Sequence, residues 1–228
     1  HHGIQILLEL AGSIGTHAQS QSGLTDGGAV EVGRFEDHGG GIFHDFGIFA
    51  AHDTCKADGL IINREDIDFS ATIFNAQNPA IIETLVLKTG KKAYEVVQMG
   101  NTPFTGLVSN LNVGTYRNTW THDIPIAVLG DDPDVVKDVV DPLANGTFVL
   151  ILKNKTKGTN GNGEYKVFGY AQGCRASAGT NDKWSEETEG GYLMTLQEAN
   201  APKAAMFYFK TDSATTAAQY ESLKTAAA

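Results

Sequence analysis

The sequence predicts a mainly β protein, a two-sheet sandwich with one packed helix and a C-terminal helix. Three observations carry that expectation. From Cys55 onward, short apolar runs recur between turn residues. The run "TYRNTWTHDIPIAVL", residues 115–129, alternates strictly along its length. One helix-like stretch lies between the strands, too few for a repeated βαβ fold.

The chain of 228 residues changes character near Thr54. Residues 1–54 hold six of the seven histidines and eleven of the 26 glycines, and contain no Lys, Asn, Pro, Tyr or Trp. The expected organisation is a Gly/His-rich segment at 1–54 followed by a β-sandwich domain at 55–228. The first segment reads as a separate glycine-rich module, a flexible arm, or sequence under different selection from the rest. His38, His44, His52, Asp45 and Asp53 fall close together in it. A metal site needs ligands held in fixed geometry. Gly39, Gly40 and Gly41 supply no rigidity and no HExxH or HxH occurs, so no metal is expected. The longest apolar run, "IQILLELAGSIG" at 4–15, is broken by Glu9. It falls short of the roughly 20 residues of a membrane span and lacks the positive flank of a secretory signal.

In the second part, "IIETLVLKT" (81–89) and "KAYEVVQ" (92–98) flank Gly90-Lys91, which predicts a hairpin. In the alternating run, Tyr116, Asn118, Trp120, His122, Ile124, Ile126 and Val128 share one face, and Pro125 suggests an edge or a bulge. "DDPDVVKDVVDPLANG" predicts a helix with an acidic cap and Pro133 in its first turn, stopped by Pro142. Val135, Val136, Val139 and Val140 form its apolar stripe. "TFVLILK", "EYKVFGYA", "YLMTLQ" and "AAMFYFK" add four strands. "TDSATTAAQYESLKTAAA" closes the chain as a helix capped by Asp212 or Ser213, with Tyr220 and Leu223 as its large apolar contacts.

A search for chemistry returns no catalytic residue, cofactor site or metal site, and the chain reads as a non-enzyme. "GTNGNGEYK" (158–166) lacks the GxxxxGK[ST] of a phosphate loop and leads into a strand, so a hairpin loop is expected. "DIDFS" (66–70) opens like a calcium loop, but Ala71 stands where glycine is required and Gln77 where glutamate is. Cys55 and Cys174 read as buried free thiols, and His122 as a packed or hydrogen-bonded histidine. Glu186, Glu187 and Glu189 sit in one polar loop beside Gly190 and Gly191. Nothing apolar encloses them to raise a pKa, so they are not an acid/base pair.

The net charge of −10 disfavours wrapping nucleic acid, which needs clustered Lys and Arg. What the charges offer instead is a pattern. The loop with Lys153, Lys155 and Lys157 and the loop with Trp184, Glu186, Glu187 and Glu189 are expected at opposite ends of the domain. Opposite charges on opposite ends favour head-to-tail contact between copies, so these seven residues are the candidate subunit interface.

The runs "VVDPLANGTFVLILKNKTKG", "YKVFGYAQG" and "DKWSEETEGGYLMTLQEANAPKAAMFYF" resemble structural proteins of tailed bacteriophages, nearest the tail-tube class, over 55–228. The resemblance implies a β-sandwich with a flanking helix, self-assembly into hexameric rings, and stacking of rings into a tube with a negatively charged lumen through which DNA slides. It implies other virion proteins as partners, no sequence-specific nucleic-acid binding, assembly in the host cytoplasm and residence in the virion. Two alternatives stand beside it. One is a capsid decoration or head-tail connector protein; the other is a carbohydrate-binding β-sandwich that reads sugar with Trp120 or Trp184.

Overall fold

The structure is a computed structural model that describes residues 4–7, 56–99, 106–185, 188 and 190–227. His38, His44, Asp45, His52, Asp53 and Cys55 lie outside the described residues, as do Glu186, Glu187 and Glu189. The strands are β1 (Ile4–Leu7), β2 (Lys56–Asn63), β3 (Ile73–Phe74), β4 (Ile81–Thr84), β5 (Tyr94–Met99) and β6 (Val108–Asn112). They continue with β7 (Thr119–Val128), β8 (Phe148–Lys153), β9 (Tyr165–Phe168), β10 (Arg175–Asn181), β11 (Tyr192–Ala201) and β12 (Met206–Tyr208). The helices are α1 (Pro133–Val135), a π segment (Val136–Val140) and α2 (Asp141–Asn145), which run on as one rod, and α3 (Ser213–Ser222).

The protein is mainly β, with a seven-strand sheet, a four-strand sheet, one packed helix and a C-terminal helix, as the sequence predicts. The larger sheet has the order β10-β11-β7-β1-β5-β2-β8 and the smaller β9-β12-β4-β3, joined through the β8–β9 ladder, while β6 pairs with β7. β8 shows why the chain folds this way. Phe148, Val149, Leu150, Ile151 and Leu152 are all buried, so this strand must be covered on both faces. Phe148, Leu150 and Leu152 face one core with Ile124, Ile126, Leu196 and the valines of the packed helix. Val149 and Ile151 face a second core with Leu60, Ile62, Tyr208, Tyr220 and Leu223.

The two sheets share one corner. β9 pairs with β8 from Leu150 to Lys153, and after a turn the same edge of β8 meets Cys174 through a Phe148–Cys174 bridge. Both N–H···O bonds of that bridge are 2.8 Å. One stretch of chain therefore serves the small sheet as β9 and the large sheet as β10, the usual way a strand turns a sandwich corner. Gly169 makes the turn possible. Its φ is +80°, and a Cβ there would lie 2.5 Å from the Phe148 carbonyl oxygen.

Two expectations need correction. Residues 81–84 and 94–99 do not form a hairpin: β4 pairs with β3 and β12, and β5 with β1 and β2. Gly90 does turn (φ +76°), but Leu87 bridges Ile67 and the Lys88 N–H donates to the Asp66 carbonyl at 2.9 Å. The stretch 85–93 is thereby spent crossing between sheets. Nor does Pro142 stop the helix. The π segment before it loosens the ladder, and Pro142 takes a first-turn position of α2, where its missing N–H costs nothing. Asp132 caps the start, accepting from the N–H groups of Asp134 (3.0 Å) and Val135 (2.9 Å).

Candidate assembly surface

The registers fix where the candidate loops lie. β9 and the start of β10 both run antiparallel to β8. The loop after β8, with the lysines, and the loop after β10, with Trp184, therefore point in opposite directions.

The lysines are less available than their charge suggests. Lys157 Nζ lies 3.4 Å from Glu164 Oε1, and Lys153 Nζ sits 5.8 Å from the centroid of the Tyr220 ring. Lys155 is exposed and has no ion-pair partner among the described residues. At the other loop, Asp182 makes a tight turn by accepting from the Trp184 N–H at 3.1 Å. Asn181 Nδ2 donates to the carbonyls of Gly190 (3.1 Å) and Gly191 (3.0 Å), which ties the loop closed. Lys183 Nζ lies 3.6 Å from Asp131, and the Tyr192 hydroxyl donates to the same carboxylate at 2.8 Å. Trp184 itself is 94% exposed.

Sequence reasoning missed a second surface. β6 is exposed along its whole length, and Val108, Leu111, Val113 and Tyr116 of its hairpin with β7 are exposed apolar residues. Its signal was weak, because "VSNLN" has no clean period and its partner carries the stronger pattern. Among the described residues, β6 pairs only with β7, and β10 pairs only with β11 apart from the Cys174 bridge. The unit β10-β11-β7-β6 thus has two edges whose N–H and C=O groups lack ladder partners among the described residues. Its outward face is polar: Gln197 Nε2 donates to Asp123 at 2.7 Å, and Arg175 lies beside Gln197 in register. Pro125 fits within this unit because the partner of β7 changes from β6, which reaches Asp123, to β1, which meets Ala127. Pro125 stands in the gap, where no hydrogen bond on that side is needed.

The inward face of the same unit buries polar groups. His122 is fully buried, with Nδ1 2.7 Å from Ser109 Oγ on β6. Its ring stacks on Trp120 at 6.3 Å and meets the edge of Phe168 at 5.4 Å. Burial pushes its pKa down; Glu198 and the Lys203 backbone oppose this. Glu198, its cross-strand neighbour, accepts from the Gly169 N–H (2.8 Å) and the Gln172 N–H (3.1 Å) and so clamps the corner turn. Burial also pushes the Cys174 thiol well up, with the Glu198 charge adding to it, so the sulfur stays protonated and inert. Trp120 is half-buried and turns one face of its ring toward His122.

No family, curated protein or solved structure matches the chain. No helix among the described residues is long and apolar enough to cross a membrane.

Proposed function

We propose that the chain is a self-assembling structural subunit of a phage particle, of the tail-tube kind, forming stacked rings through which DNA passes. The observation that carries this reading is the β10-β11-β7-β6 unit, each of whose two edges is open among the described residues. An open edge is a template for another strand. With two different edges on one subunit, β6 of one copy can pair with β10 of the next, a heterologous contact that closes into a ring when the rotation per subunit allows. The acidic balance of the chain, −10 overall, suits a conduit from which DNA is repelled instead of bound.

Negative-stain microscopy and sedimentation velocity of the purified chain test the reading. Rings or tubes are expected, and Val108→Lys with Leu111→Lys, which place charges on the β6 edge, should yield folded monomers. Monomers of the unaltered chain that bind a glycan array would replace this reading with the carbohydrate-binding one. Particles that bind only to capsid shells would replace it with the decoration role.

A further inference from the structure

The β10–β11 hairpin carries a knob at its tip and a hollow near its base. The knob is Trp184, 94% exposed on a loop pinned by Asp182 and Asn181. An indole hides on the order of 200 Å² when buried, and one held on a braced turn loses little freedom on being seated. The hollow has a volume of about 310 Å³ and is lined by Gly173, Arg175, Ala176, Ser177, Gln197 and Ala199, among others. That is at the lower end of the roughly 300–1,000 Å³ of pockets that take a small ring compound. Its floor is low because four of these residues are Gly, Ala or Ser. Its wall is set in place: Arg175 Nε donates to Thr147 Oγ1 at 3.1 Å, and Gln197 Nε2 is held by Asp123 at 2.7 Å. A fixed guanidinium beside a shallow floor is suited to the face of an indole.

The occupant cannot come from the same hairpin. Arg175 pairs with Gln197 while Asn181 pairs with Tyr192, so the hollow and the tip are about 20 Å apart along rigid strands. We propose that Trp184 of one copy seats in the Arg175–Gln197 hollow of a second copy. Knob and hollow are different surfaces of one molecule, so each copy can give and receive, and the contact propagates as an open series. This rests on the self-assembly reading above and assigns the residues that join successive copies along the strand direction.

The test places the photo-crosslinking residue p-benzoylphenylalanine at position 184 in the full chain, irradiates the assembled protein and maps the products by mass spectrometry. Crosslinks between copies to residues 172–177 and 197–199 are expected. Crosslinks between copies to other surfaces would overturn the proposal and leave self-assembly standing. A protein that sediments as a monomer at high concentration would overturn both. Trp184→Ala should raise the concentration needed for stacking at least tenfold with an unchanged unfolding midpoint. Ser177→Trp, which fills the hollow in place, should do the same with Trp184 intact. Unchanged stacking by both variants, or a closed two-fold dimer as the end product, would also sink the assignment.

Discussion

His122 is the residue whose chemistry is most altered by the fold. Four groups act on its charge: Glu198 from β11, Asp123 beside it on β7, Lys166 from β9 and the backbone of Lys203. Burial, with Lys166 acting in the same direction, outweighs Glu198, the Lys203 backbone and Asp123 and lowers the pKa below its ordinary 6.5. Because the folded value is the lower one, the unfolded chain takes up the proton more readily. The stability tied to neutral His122 is complete above about pH 6.5 and is lost as pH falls through the folded value. Urea midpoints taken at pH 7.5 and pH 5.5 should therefore fall for the natural chain, and the fall should shrink in His122→Gln. An equal drop in both would assign the acid sensitivity elsewhere.

Among the elements, the β9–β10 corner depends most on a single side chain. Glu198→Ala would strip two backbone N–H groups of their acceptor while leaving the bridge at Cys174 in place. The expected cost is about 1–3 kcal/mol of folding stability, read from urea unfolding; a neutral result would mean that water replaces the carboxylate. This corner was not legible in the sequence. "EYKVFGYA" reads as a single strand, whereas β9 ends at Phe168 and Gly169 turns the chain; the turn is held by Glu198, which is 26 residues on from Gln172. The elements themselves were legible where one period dominates: the buried face from His122 to Val128, though not Tyr116 and Asn118, which lie exposed before β7 begins, the run 147–153, and α3, where Asp212 accepts from the Thr215 N–H at 2.8 Å. Pattern failed where partner choice decides, as at 81–98, because periodicity says a segment is a strand and not which strand it meets. The strand at Arg175–Asn181, which sets the direction of the Trp184 loop, was not legible, because "RASAGTN" carries no apolar alternation. The hollow at Arg175 was out of reach, since it is assembled from two strands and a turn.

At the scale of the whole molecule, charge and shape make separable contributions to joining copies. Lys155 is the exposed lysine of its loop without an ion-pair partner among the described residues, whereas Lys157 is engaged by Glu164. Lys155→Glu thus alters the field of that end with the least disturbance inside the fold. Sedimentation should show weaker assembly of this variant at 50 mM salt and no difference at 1 M, where screening acts within about 3 Å. Equal assembly at both salts would remove the lysine loop from the interface and leave the open edges and Trp184 to account for it.

Pro125 has a consequence that belongs to the making of the protein. β7 needs β11 to complete it, and on a ribosome that partner emerges only after the helix, β8, β9 and β10. At roughly 5–20 residues per second, the run "IPIAV" waits on the order of several seconds with its apolar face bare. Such a run is the kind of segment that seeds cross-β aggregates between nascent chains. A proline in its middle cannot donate to a growing ladder, so the same residue that fits the gap between β6 and β1 guards the strand until its proper neighbour arrives.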